Sequence, residues 1–237
     1  MTTISRTNIK ASFSMNDADK TEALASEIES AAGIVSGNNY FGNYDDGNYI
    51  EIDSDGNLTL AGDATVWDDL RFPLIDLKLG GVNDPDFVQV LDNGSSSTGV
   101  YAYAFDKAAE EEAFFIVQFP HRRKSGSDVR PHMHWMPSGT DTGDVVWGLE
   151  YTWANINGTF GNTTITTVTQ TASGTANAHQ MALFDAITGT GKTSSSMMLC
   201  RLFRDATNAA DTYDEDAIGI EMDFHIEIDK LGDEALG

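Results

Sequence analysis

His132 and His134, in Pro131-His132-Met133-His134-Trp135, are the pair whose type and spacing most readily support chemistry in this 237-residue chain. Alternate residues of a strand share a face and lie about 7 Å apart, so both imidazoles can turn toward one ion. Neutral imidazole ligates zinc and iron, and such a centre needs further ligands, a carboxylate or another histidine. Asp141 and Asp144 fall in the turn that follows, Glu150 lies on the next strand, and His225 or His121 could close a site. No spacing demands any of them. The pattern predicts hydrogen-bonded structural histidines, with no metal and no cofactor.

Other motifs carry less. Ile187–Ser195, ITGTGKTSS, imitates a phosphate loop, but Ala186 stands where the first glycine must be and a strand-like run follows instead of a helix. Asp53-Ser54-Asp55-Gly56 has the core of a calcium loop, yet Gly62 occupies the position that requires a bidentate acid, so it reads as a β-turn. No serine sits in a Gly-X-Ser-X-Gly elbow, and the single cysteine, Cys200, alternates with Met198 and Leu202 as a buried small hydrophobe does. Nothing here predicts an enzyme. His121-Arg122-Arg123-Lys124 is the one basic cluster, and Arg122, Arg123 and Lys124 are candidates for docking on an acidic surface of an identical copy.

The elements that must position these residues are strands. In GDVVWGLEYTWANINGTF, Val145, Trp147, Leu149, Tyr151 and Trp153 alternate with smaller or polar residues. Near the C-terminus Ile218, Ile220, Met222, Phe224, Ile226 and Ile228 alternate with Glu221, Asp223, His225, Glu227 and Asp229. A period of two with one apolar face predicts antiparallel strands packed as two sheets. Further strands are predicted at 87–91, 99–105, 113–119, 130–136, 162–170 and 197–204, with a hairpin at 49–61 and an extended segment at 64–74. Short helical turns are predicted at 107–112 and 179–185, and the stretch around 36–49 reads as an irregular connector. The fold class is all-β: an antiparallel two-sheet β-sandwich, jelly-roll-like, over 64–237. Residues 1–63 read as an N-terminal arm with one short α-helix at about 16–33, bearing Leu24 and Ile28 on a thin apolar stripe, and the hairpin.

Charge narrows the partners. With 37 acidic and 14 basic residues, a net of −23, the surface repels nucleic acid and anionic membrane. No apolar run is long enough for a spanning helix and the polar start carries no signal peptide, which predicts synthesis in a cytosol and no membrane insertion. The aromatics Tyr40, Phe41, Tyr44 and Tyr49, set among glycines and asparagines, are candidates for an interaction surface that orders on contact.

The order of ATVWDDLRFPL, LGGVNDPDF, FIVQFPH, RPHMHWMP, VWGLEYTWANINGTFGNTT and TYDEDAIGIEMDFHIEIDKLG resembles that in a family of tailed-phage and prophage virion-associated structural proteins. The resemblance spans about residues 64–232 and brings no catalytic residues with it. It implies a virion protein made in host cytoplasm, a homo-oligomer, trimeric by expectation, that serves as a capsid decoration, cement or head-fibre protein. Its partners would be the major capsid protein or other virion proteins. Two rival readings stand beside this one. The first is a carbohydrate- or receptor-binding module of the phage particle, with the tyrosines as its platform; the second is a cupin-like metalloprotein centred on His132 and His134.

Overall fold

The computed structural model describes residues 39–43, 47–52 and 57–232. These divide into two compact units, one within residues 1–65 joined by 229–231, the other within 66–228 and 232–237. In the first unit β1 (Asn39–Asn43), β2 (Asn48–Ile52) and β3 (Leu58–Ala61) form an antiparallel meander. Thr59 of β3 also bridges to Lys230. The predicted hairpin is therefore present, although its Asp53–Gly56 turn lies outside the described residues, as do the predicted helix, Leu24, Ile28 and Tyr44. The irregular connector is corrected in part: Tyr40 and Phe41 lie on the backbone of β1, because an Asn- and Gly-rich strand gains its ladder from β2 rather than from propensity.

The second unit is an antiparallel sandwich. One sheet runs in the order β10 (Thr164–Thr171), β9 (Asp144–Ala154), β12 (Met197–Arg204), β7 (Glu111–Gln118). The other runs β11 (Gln180–Leu183), β8 (Arg130–Pro137), β13 (Ala217–Ile228), β6 (Val100–Phe105), β5 (Asp86–Leu91), with β4 (Val66–Pro73) paired along residues 221–228 of β13. The all-β, jelly-roll-like sandwich expected from alternation is the observed architecture. Trp147, Leu149 and Trp153 of β9 and Phe224 and Ile226 of β13 meet in one core with Phe105, Phe119, Met133, Trp135 and Leu202. Each large apolar side chain buried there contributes about 1.5–3 kcal/mol relative to exposure.

Alternation along β13 is broken once. The register with β8 shifts between Gly219 and Glu221, so Ile220 is an extra residue on a β-bulge. Ala217 faces the core before it, and Met222, Phe224, Ile226 and Ile228 face the core after it. Ile218 instead joins a small second cluster with Ala104 and Met136 on the outer face of the sheet, and Ile220 is exposed. The unbroken apolar face expected from Ile218 to Ile228 is corrected accordingly. Gly219 sits where any Cβ would press into Leu74 and Phe105, which explains a glycine at the foot of the bulge.

Two predicted helical turns are also absent. Residues 107–109 form a bend that leads toward β7, held by Asp106 Oδ1 accepting from the Ala108 and Ala109 N–H groups. Gln180–Leu183 is the edge strand β11; its helix-forming residues are overridden by a ladder with His132–Trp135 of β8.

Candidate metal centre and aromatic ledge

Met133 and Trp135 of β8 point into the core, so His132 and His134 project from the outer face of the six-stranded sheet. Strand β13 lies beside β8, and the register places Asp223 opposite His132 and Glu221 opposite His134. Three donor atoms converge as a result. Asp223 Oδ2 stands 3.4 Å from His132 Nε2 and 3.2 Å from His134 Nε2. His134 Nδ1 contacts His179 Nε2 at 2.7 Å, and His132 Nδ1 faces the Arg130 carbonyl at 3.5 Å. The Asp223 side chain is 5% exposed, and its Oδ1 is buried with no hydrogen-bond partner. Glu221 next to it is held by Arg71, whose Nε and Nη2 both donate to the carboxylate.

The electrostatics follow from that packing. The facing Asp223 carboxylate raises the basicity of His132. Burial pushes His134 down, more than Asp223 can offset. Burial also opposes the charge on Asp223, yet the His132 imidazole beside it holds its carboxyl below the usual carboxylate value. Asp141, Asp144 and Glu150 do not join this group; His132, His134 and Asp223 alone form a cluster of three or more metal-ligating side chains among the described residues. The sequence supplied both histidines and missed Asp223, which reads there as one of several outward acids on β13.

The basic cluster is assigned differently from expectation. Arg123 is fully buried, stacked on the rings of Phe119 and Trp153 at 5.1 Å each, with its guanidinium donating to the Lys192 and Ser127 carbonyls. A docking role for Arg123 is thereby corrected, since a side chain enclosed in the sandwich cannot reach a partner. Arg122 pairs with Asp68 at 2.8 Å and Lys124 with Glu227 at 2.8 Å, both partly exposed. His121 Nε2 meets the Ser195 hydroxyl at 2.6 Å, and Ser195 is buried. Cys200 is buried too, and burial pushes its thiol far above the ordinary value, away from nucleophilic use.

A second feature lies where the inner face of the six-stranded sheet runs beyond its cover. Along β6 exposure rises from Phe105, fully buried, through half-buried Tyr103 to Tyr101, 40% exposed. Phe87 of β5, 58% exposed, lies opposite Tyr103, with ring centroids 5.3 Å from Tyr103 and 5.4 Å from Tyr101. Gln89 is the cross-strand partner of Tyr101 on the same face. At the tip of this hairpin Asp92, Asn93 and Ser97 line a shallow depression beside Leu91 and Val100. Alternation in sequence hinted at these strands but not at an uncovered aromatic face.

No family model matches the sequence, and no curated protein matches it. Several solved structures are distantly similar to the chain. The CBM36-1 domain of a multidomain xylanase from the hindgut metagenome of Trinervitermes trinervoides is 10% identical, with TM-score 0.37 over 66% of this chain and 96% of that one. A family 35 carbohydrate-binding module from Clostridium thermocellum is 10% identical, with TM-score 0.37 over 65% and 97%. An insecticidal delta-endotoxin from Bacillus thuringiensis is 13% identical, with TM-score 0.35 over 76% and 29%. At these values the likeness carries no argument about what the chain binds.

Proposed function

We propose that this chain is a non-catalytic β-sandwich module of a phage particle that takes a carbohydrate on the Phe87–Tyr101–Tyr103 ledge. The observation that carries the reading is the ledge itself: three clustered aromatic rings left open at the margin of a folded core. Aromatic rings pack against the C–H faces of sugar rings, while a phenolic hydroxyl and a neighbouring amide such as Gln89 can bond sugar hydroxyls. The rings are fixed by their strands and pre-organised, so little ordering entropy opposes binding. The phage setting comes from the sequence resemblance over residues 64–232. The acidic surface suits a neutral or cationic glycan better than an anionic one.

The test is a glycan array followed by titration with the best ligand. Tyr101→Ala and Phe87→Ala each weaken binding by roughly 10-fold or more. Absence of glycan binding by the intact chain, or equal binding by both variants, overturns the reading.

A second reading, a homo-oligomeric decoration or cement protein, draws on a separate observation. Leu91 and Val100 are exposed apolar cross-strand partners at the tip of the same β5–β6 hairpin. Apolar side chains along an edge strand invite a second chain. Native mass of the intact chain separates the two: a trimer that the Leu91→Asp variant reduces to monomer favours cement.

A further inference from the structure

We infer that His132, His134 and Asp223 form a site for one divalent transition metal ion of the zinc class on the outer face of the six-stranded sheet. The first argument is distance. Ligand atoms at the corners of a zinc tetrahedron, with bonds of about 2.0–2.1 Å, stand about 3.3 Å apart. Asp223 Oδ2 lies 3.4 Å and 3.2 Å from the two Nε2 atoms. A charge-assisted N–H···O bond would draw these atoms to about 2.7–2.9 Å. The three donor atoms all lie within 4.8 Å of one another, near enough for modest side-chain rotations to bring them onto one ion.

The second argument is the direction of the rings. A ligating imidazole offers one nitrogen to the metal and engages the other with a carbonyl, carboxylate or other polar group, which fixes its tautomer. Here both Nδ1 atoms turn away from the centre, toward His179 Nε2 and the Arg130 carbonyl. If His134 Nδ1–H donates to His179, His134 Nε2 presents a lone pair toward Asp223. Two electron-rich atoms at 3.2 Å repel unless a cation stands between them. His179 is then a positioning residue and not a ligand.

The third argument is the orphaned Asp223 Oδ1, an unpaired atom on a carboxylate whose side chain is 5% exposed. A buried carboxylate oxygen without a donor is unfavourable, and a dication beside the carboxylate supplies the missing partner. Two nitrogens and one carboxylate oxygen favour zinc, cobalt or nickel over calcium, which takes oxygen ligands. His134 is 21% exposed, which leaves a path for the ion and room for water in the remaining position. This site is independent of the carbohydrate ledge.

The test uses chelator-stripped full-length protein titrated with Zn²⁺ by calorimetry, with Co²⁺ as an optical reporter. One Zn²⁺ per chain is expected, along with the intense visible absorption of tetrahedral Co²⁺. His134→Gln and Asp223→Asn weaken Zn²⁺ binding by about 100-fold or more, and His179→Ala by about 10- to 100-fold. Asp76→Asn, at an exposed acid outside the cluster, binds as the natural chain does, which separates the site from loose attraction to the acidic surface. Circular dichroism checks each variant, and His134→Gln, at a partly exposed side chain, decides the matter if Asp223→Asn does not fold. No stoichiometric Zn²⁺ uptake, or uptake undiminished in a folded His134→Gln, overturns the site.

Discussion

Arg204 and Asp223 are both buried charged residues, the second on the outer face of the six-stranded sheet, and their surroundings differ in completeness. Arg204 has no exposed surface, and all five of its N–H groups find acceptors. Nε and Nη2 donate to the two oxygens of Asp211 at 3.1 and 2.9 Å, Nη1 to the Phe105 and Glu215 carbonyls, and Nη2 also to the Tyr213 carbonyl. Asp211 Oδ2 additionally accepts from the Val146 N–H. Asp223 has two imidazoles at distances too long for strong bonds and one oxygen with nothing. The first cluster is closed and ties β12 to the loop before β13. The second is open, and its geometry is that of a group waiting for a cation. A buried charge is therefore no sign of function by itself; Asp223 is set apart by an unpaired oxygen beside two imidazoles.

The comparison is broken most directly at Arg204. Arg204→Ala leaves Asp211 buried without its cation, and a loss of about 3–5 kcal/mol is expected in denaturant unfolding. A loss below about 1 kcal/mol would mean that the closed cluster contributes no more than a surface pair. The next effect is that of metal on the natural chain. Zn²⁺ at 100 times its dissociation constant should stabilise it by about 2.7 kcal/mol, read as a raised melting temperature. Asp223→Asn should abolish that rise, and any folded variant at Asp211 should keep it.

Without metal, Asp223→Asn is expected to change stability by only about 1 kcal/mol, because a neutral amide gives up weak imidazole contacts but escapes the desolvation of a charge. A loss as large as that at Arg204 would show that the histidines already satisfy the carboxylate. The smallest effect is expected at Lys124→Ala, which removes a partly exposed ion pair with Glu227 and should shift stability by about 0–1 kcal/mol in a thermal melt.

Much of this was legible in the chain. The two-residue period of Val145–Trp153 named the core face of β9 and placed Trp147, Leu149 and Trp153 correctly. The same period put His132 and His134 on one face of β8. It failed at Ile220, because a bulge is set by how β13 meets β8 and by the close packing of Leu74 and Phe105 on Gly219, none of which is local. It failed at β11 because Gln180, Met181, Ala182 and Leu183 suit a helix when read alone. It also misjudged Arg123, whose neighbours in sequence are cations but whose neighbours in space are Phe119 and Trp153.

The sequence by itself determined the class of fold, the faces of its long strands and the histidine pair, since these follow from side-chain period and residue type within a few residues. Only the tertiary structure decided which carboxylate meets those histidines and which aromatics stay uncovered. Both depend on strand register and on where one sheet stops covering the other. A shift of one residue in the pairing of β13 with β8 would turn Asp223 to the opposite face and leave His132 and His134 without it.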